Sequence, residues 1–397
     1  MPHIEHTQSE WVSAVVQAVH GVLPSRDFIP LHEPEFAGNE WQYVKECLDT
    51  GWVSSVGKYV DRFEQALAEY TGSPYAVVTV NGTAALHMAL LLAGVGRDDE
   101  VLVPALSFVA TANAVSYLGA VPHFVDSDSR TLGVDPQALR LYLERIADYR
   151  HGQLINSLTG RRIAALVPMH VFGHPADLQG LLQLAQDFGL PLVEDAAESL
   201  GSRYQQRHTG TFGLLGALSF NGNKVMTTGG GGAILTADPV LAARAKHLTT
   251  TAKLPHAWAF QHDEVAWNYR MPNLNAALGC AQLERLPDML QRKRALAACY
   301  QAALADVEGV RLLTEPADCH SNYWLNAIML TSPQRELRDA LLQALNAAGL
   351  MSRPAWTLLN QLPMYQHCPA APLPQAQRIE DALINIPSSP ALLAAGG

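Results

Sequence analysis

Cysteine is scarce and badly placed for cross-linking. The five residues, Cys47, Cys280, Cys299, Cys319 and Cys368, are scattered, odd in number and form no CxxC pair. That excludes a disulfide framework or a zinc ribbon and fits reduced thiols in a cytoplasm. A basic excess is missing too. With 27 Lys and Arg against 37 Asp and Glu, the formal net charge is -10. No broad positive field exists to hold nucleic acid or an anionic membrane, so an anionic small ligand would need local amides and a few side chains. No apolar run is long enough to span a bilayer. The opening "MPHIEHTQSEWVSAVVQAVHGVLP" lacks the basic start of a signal peptide and predicts an amphipathic helix packed on the main body. No Walker A sequence and no GxSxG elbow occur. The GxG of "GVGRDDE" (94–100) follows a helix rather than a strand, which rules out a dinucleotide fingerprint. Internal repeats and low-complexity linkers are absent as well. A soluble, cytoplasmic protein is expected.

What is present is alternation. From residue 75 the chain reads strand "YAVVTV", helix "GTAALHMALLLAGV", strand "EVLVPAL", helix "FVATANAVSYLGA" and strand "VPHFVDS". It continues with helix "DPQALRLYLERIADY", strand "RIAALVPMHVFG", helix "ADLQGLLQLAQDFG" and strand "LPLVEDAA". Nearly polar-free strands alternating with helices predict a mainly parallel sheet covered on both faces, an α/β fold. "ALSFNG" and "GGAILTA" read as shorter, antiparallel-capable strands. Beyond residue 276 helices dominate, with one more strand in "YWLNAIMLT", which predicts a smaller C-terminal α+β domain. The expected division is 1–28 as an N-terminal helical extension, 29–270 as the large domain and 271–397 as the small one.

In open α/β sheets ligands bind beyond the carboxyl ends of the strands, and chemistry is expected there. "NGTAA" puts Gly82 and Thr83 at a helix start, where free amides attract a phosphate or simply form an ordinary N-cap. "HVFGH" (170–174) spaces two histidines by four, but at a strand end and without a HExxH glutamate, so a turn is expected there rather than a metal site. "LVEDAAES" ends a strand on adjacent acids, Glu194 and Asp195, of which at most one points into any given cleft. Each reads either as a cap or ion pair, or as a carboxylate meeting a cation. Lys224 stands in "SFNGNKVMTTGGGG" with no charged neighbour, a surrounding that suits an amine acting as a neutral nucleophile, though alone it reads as an exposed lysine. Together, a phosphate-binding helix start, an aromatic after the next strand, a strand-end aspartate and a serine five residues before a lysine are the parts pyridoxal phosphate needs.

These motifs resemble the sugar aminotransferases of the DegT/DnrJ/EryC1/StrS family. The resemblance covers nearly the whole chain, through "GWVSSVGKYVDRFE", "NGTAAL", "PALSFVATANAV", "PMHVFGHPADL", "VEDAAESLGS", "SFNGNK" and "NYRMPNLNAALG", in order. It implies the aspartate aminotransferase-like fold and pyridoxal 5'-phosphate as cofactor. Lys224 would bond the cofactor's aldehyde and shuttle the proton. Asp195 would keep the ring nitrogen protonated, and Phe108 would stack on the ring. Gly82, Thr83, Ala84 and Ser219 would hold the phosphate, and Asn268 would reach the phosphate of the neighbouring subunit in a homodimer with shared active sites. Glu198 stands where many members carry glutamine or histidine near the phenolic oxygen, and Asn221 replaces a frequent histidine. Both, with "SNYWLNAI", resemble the branch acting on UDP-4-keto-6-deoxy-N-acetylglucosamine. The implied reaction carries an amine from L-glutamate to a nucleotide-linked ketosugar. Ser54, Ser55, Lys58, Tyr59, His320, Asn322, Trp324 and Trp356 lie in segments that resemble substrate-contacting parts, and no metal is implied. Relatives that dehydrate sugars replace the lysine by histidine, so Lys224 argues against that chemistry. Intact Lys224, Asp195 and Thr83 argue against a silent sugar-binding homologue.

Overall fold

The computed structural model describes residues 2–393, with side chains from residue 8. The sheet begins with β1 (Tyr75–Thr79), which enters helix α4 (Gly82–Leu92) directly. After it come β2 (Glu100–Pro104), α5 (Val109–Tyr117), β3 (Val121–Val125) and α6 (Pro136–Ile146). Then follow β6 (Ile163–Leu166), α7 (Leu178–Phe188), β7 (Val193–Asp195), β10 (Leu215–Ser219), β11 (Gly232–Thr236) and α8 (Pro239–Thr249). Several of these helices start where aspartate stops the preceding loop. Asp135, Asp177 and Asp238 each accept first-turn amides, and proline follows at the first helical position of α6 and α8.

Strands β3, β2 and β6 pair in parallel, and β7 pairs in parallel with β10. Parallel bridges Leu166↔Leu192 and Met169↔Asp195 join the two sets, and β11 lies antiparallel between β10 and β1. The order is therefore β3-β2-β6-β7-β10-β11-β1, mainly parallel with one reversed strand. Of the two shorter strands expected to be antiparallel-capable, β11 is antiparallel on both sides, whereas β10 keeps the parallel sense toward β7.

Two segments differ from the sequence pattern. The helical pattern of α6 runs to Tyr149, but the helix ends at Ile146, and β4 (Ala147–Arg150) pairs with β5 (Gln153–Asn156) as a hairpin. His151 and Gly152, both at positive φ (52° and 77°), supply the turn whose hand matches strand twist. The expected strand through Gly173 ends at Leu166. Beyond it Pro168, which has no amide to donate, accepts from the Asp195 amide, and Val171–Gly173 form a 3-10 turn with Phe172 at φ 55°.

The short strands β8 (Arg203–Tyr204), β9 (Arg207–His208) and β13 (Cys319–His320) form a separate ribbon. A second antiparallel sheet, β12-β14-β16-β15, is built from Val310–Leu312, Asn326–Leu330, Leu383–Ile386 and Arg353–Pro354. Helix α10 (Arg335–Ala347) packs on it, and α11 (Pro374–Glu380) precedes its strand β16. The 32-residue α9 (Asn273–Leu304) packs against α2 (Glu40–Thr50), α3 (Lys58–Thr71) and strand β12. Helix α1 (Pro2–Gly21) lies on α9 and α10, burying Val15 and Val19. One continuous apolar cluster runs from those valines through the parallel sheet to Ile384 and Ile386. Among the described residues no helix is long and apolar enough to cross a membrane.

Candidate active site

The carboxyl ends of β1, β2, β7 and β10 open into one cleft of about 340 Å3. At its upper end α4 begins. Asn81, extended at φ -165°, caps the helix by accepting the Ala84 amide at 2.8 Å. Among the described residues the Gly82 and Thr83 amides find no partner, and neither does the Thr83 hydroxyl. A Cβ on Gly82 would lie 2.7 Å from Cβ of Ser219, so only glycine lets helix start and strand end converge. The result is a cradle of free donors at a helix N-terminus, which suits a phosphate ester. The glycine run after Lys224 lies behind it: a Cβ on Gly232 would meet the Asn81 carbonyl at 2.6 Å.

At the floor, β7 sends its two acids to opposite faces. Glu194 turns away and accepts three amides, from Gly210 (2.7 Å), Phe212 (2.6 Å) and Gly213 (2.8 Å), with His170 Nε2 at 3.0 Å. Asp195 faces the cleft, 4 % exposed, and accepts Thr111 Oγ1 at 2.7 Å and the Ala197 amide at 3.2 Å. Burial pushes its carboxyl above the ordinary range, with the Thr111 and Ala197 bonds opposing. A buried carboxyl in this state gains from a cationic partner, which a protonated ring nitrogen supplies.

Lys224 reaches in from the loop after β10. Its Nζ lies 3.2 Å from Glu198 Oε1 and 3.9 Å from the centre of the Trp324 ring. The other Glu198 oxygen accepts the Phe172 amide at 2.9 Å. Phe108 precedes α5 in extended conformation and stands half exposed on the wall, 6.5 Å centre to centre from Trp356. Cradle, carboxyl, primary amine and aromatic face thus surround one space, and their chemistry fits pyridoxal phosphate.

Burial pushes the Glu198 carboxyl up to about 7 from near 4.5, with Lys224 opposing. Between those pH values an unfolded chain has released the proton that the folded one keeps. Folded-state stability therefore falls as pH rises through that window. Thermal melts of the cofactor-free protein should show a shallower pH slope there for Glu198→Gln than for the unaltered chain. Equal slopes would contradict the assignment.

The structure gathers Gly82, Thr83, Phe108, Asp195, Glu198, Ser219, Lys224, Asn221, Trp324 and Trp356 around the cleft. Ala84 lies one residue inside, its amide taken by Asn81. Asn322 is buried behind the wall, and the exposed His320 pairs with Arg203 in the ribbon. Ser54, Ser55, Lys58 and Tyr59 lie elsewhere in the chain. The Ser54 carbonyl accepts the Asn273 amide (2.6 Å), while Lys58 and Tyr59 both bind Glu46 beside a second groove. Asn268 is exposed outside the chain's own cleft and accepts from Arg270 at 2.9 Å. His170 and His174 separate: His170 serves Glu194, and the His174 ring meets Tyr323 edge-on at 5.2 Å. Sequence reading missed Thr111 and the Phe172 amide. Thr111 sits three positions after Phe108 in "SFVAT", so helical spacing held a signal for it. Nothing in the sequence marked the Phe172 amide, which depends on a left-handed residue.

The family model for the DegT/DnrJ/EryC1/StrS aminotransferases matches residues 34–395. GDP-perosamine synthase of Escherichia coli O157:H7 is 37 % identical over 367 residues, covering 92 % of this chain and 94 % of the relative. The putative pyridoxal phosphate-dependent aminotransferase EpsN of Bacillus subtilis is 36 % identical over 337 residues, 85 % of this chain and 84 % of the relative. Among solved structures, the aminotransferase TlmJ of Streptoalloteichus hindustanus superposes with a TM-score of 0.83 at 30 % identity, covering 92 % and 94 % of the two chains.

Proposed function

The chain belongs to the DegT/DnrJ/EryC1/StrS aminotransferase family, is a pyridoxal phosphate-dependent sugar aminotransferase, and on that premise we propose that it moves the amine of L-glutamate to the 4-keto carbon of a nucleotide-linked 6-deoxyhexose. The observation that carries this is the shared cleft: the Lys224 amine and the Asp195 carboxyl face one space beneath the Gly82–Thr83–Ser219 cradle.

When bound, the cofactor supplies an aldehyde to receive the amine and a ring that delocalises the electrons of a broken C–H bond. The chain supplies the rest. Gly82, Thr83 and Ser219 donate to the phosphate. Asp195, held by Thr111, keeps the ring nitrogen protonated, and Phe108 covers one face. Lys224 holds the aldehyde at rest. Once displaced, its amine takes a proton from the donor's α-carbon and, in the second half of the cycle, delivers one to C4 of the sugar. Glu198 stands beside that amine with a carboxyl able to give or take a proton near neutral pH.

The sugar is proposed to be UDP-4-keto-6-deoxy-N-acetylglucosamine, on the strength of "SFNGNK", Glu198 and "SNYWLNAI". A GDP-linked 4-keto-6-deoxyhexose is the second reading, favoured by the likeness to GDP-perosamine synthases. Trp324 and Trp356 are the cleft aromatics offered to the substrate. The exposed Asn268 is proposed to reach the phosphate of the partner's cofactor in a homodimer. Mixing Lys224→Ala chains with Asn268→Ala chains should then recover activity that neither has alone; no recovery would remove the shared site. The proposed donor is tested by absorbance. L-Glutamate should bleach the visible band of the loaded protein and release one 2-oxoglutarate per band lost, whereas an unchanged band would contradict the reaction.

A further inference from the structure

Three loops meet directly behind the cleft wall, and Asn322 joins two of them through its side chain and reaches the third through its backbone amide and Ser202. Asn322, 1 % exposed, donates from Nδ2 to the carbonyls of Glu198 (2.8 Å) and Leu200 (2.9 Å). Its Oδ1 accepts the Trp324 amide at 2.7 Å. Its own amide donates to Ser202 Oγ at 2.9 Å, and Ser202 Oγ donates on to the Gly173 carbonyl at 2.7 Å. Every hydrogen-bonding group of the carboxamide is thus used, all inside the protein.

The surrounding backbone is strained where it meets this side chain. Phe172 and Tyr323 stand at φ 55° and 45°, a region costly for residues bearing a Cβ, and Gly173 stands at φ 94°. A Cβ on Gly173 would fall 1.8 Å from Asn322 Oδ1, so glycine is required for the carboxamide to fit. The consequence of this geometry is visible at the cleft. The left-handed Phe172 turns its amide onto Glu198 Oε2, leaving Oε1 at 3.2 Å from Lys224. Trp324, fixed through its backbone by Asn322 and through its indole N–H to the Asn223 carbonyl (2.7 Å), lays its ring against the same amine.

We infer that Asn322 is a positioning residue rather than a sugar contact: its carboxamide ties the 198–202 segment to 321–325, Ser202 carries the link on to Gly173, and together they hold Glu198 and Trp324 against Lys224. The inference rests on the proposed role of Lys224 as the reacting amine.

Asn322→Ala is the test, made on the loaded enzyme beside Thr209→Ala, which removes bonds to Ser199 and Ser202 of the same 198–202 segment without touching Asn322. Loss of the tie should lower kcat by about tenfold or more while KM for the nucleotide sugar stays within about twofold. In melts of the cofactor-free protein, the pH inflection assigned to Glu198 should move down by about half a pH unit or more, as the freed carboxyl reaches water. Thr209→Ala should lower the melting temperature and leave the inflection in place. A raised sugar KM with kcat and inflection unchanged would overturn the inference, as would an Asn322→Ala protein that differs from Thr209→Ala in nothing. Should Asn322→Ala not fold, Ser202→Ala takes its place: a smaller shift in the same direction supports the tie, and no shift overturns it. An unaltered enzyme that fails to respond to glutamate would instead sink the transaminase reading itself.

Discussion

Replacing Lys224 by alanine is expected to abolish amine transfer, with a loss of at least about 10^4-fold, and to remove the visible absorbance band of the loaded protein. On the proposed assignment, two roles vanish together in this variant. The covalent attachment that holds the cofactor's aldehyde at rest is lost, and so is the base that moves a proton between the amine-bearing carbon and the cofactor. No neighbour can take over. Glu198 is 3.2 Å away and its carboxyl can carry a proton, but it cannot bond an aldehyde. The fold should survive, because the Lys224 side chain makes one ion pair and one ring contact at the cleft edge and supports no core. Retention of the band, or of turnover above about a thousandth of the unaltered rate, would remove Lys224 from its assigned place.

Asp195→Asn is expected to cost about 10^2–10^4-fold in rate, the range for losing a positioned proton partner, while the protein folds normally. The shape of the side chain is kept, and the Thr111 hydroxyl still has an oxygen to donate to. What disappears is the negative charge proposed to hold a proton on the ring nitrogen, and with it the proposed capacity to absorb electrons from the reacting carbon. Burial pushes the Asp195 carboxyl above its ordinary range, so in the cofactor-free protein the charge is a burden at neutral pH. Melting of the cofactor-free variant should therefore occur no lower than that of the unaltered protein, and the gain in melting temperature on adding cofactor should shrink. A normal rate would contradict the role. A large fall in the cofactor-free melting temperature would indicate that Asp195 serves the fold instead.

The parallel sheet was legible because strands buried on both faces leave a simple mark: near-continuous apolar runs, most of them followed by a helix. The strand ends could be read for the same reason, and Lys224, Asp195, Thr83 and Ser219 indeed gather in one cleft. What escaped was set by backbone hand and long-range packing. The His151–Gly152 turn converted the end of a helical pattern into a hairpin, and Phe172 in the left-handed region redirected an amide onto Glu198. Asn322, whose neighbour Trp324 lines the cleft, lies in a segment that resembles substrate-contacting parts of the family. Its three bonds to the 198–202 loop, more than a hundred residues away, leave no mark in local pattern. The segment holding Ser54, Ser55, Lys58 and Tyr59 lies apart from the cleft, with Lys58 and Tyr59 bound to Glu46.

Amine transfer through Lys224 is tested most directly by following the nitrogen itself. The loaded enzyme is incubated with L-glutamate carrying a heavy-nitrogen label and a small panel of UDP-, GDP- and dTDP-linked 4-keto-6-deoxyhexoses with 3-keto counterparts, and the products are read by mass. The label is expected in a 4-amino sugar from one nucleotide series, first of all the UDP-linked N-acetylglucosamine derivative, with stoichiometric 2-oxoglutarate and none from Lys224→Ala. Label transfer to no ketosugar, or equal transfer by Lys224→Ala, would contradict it.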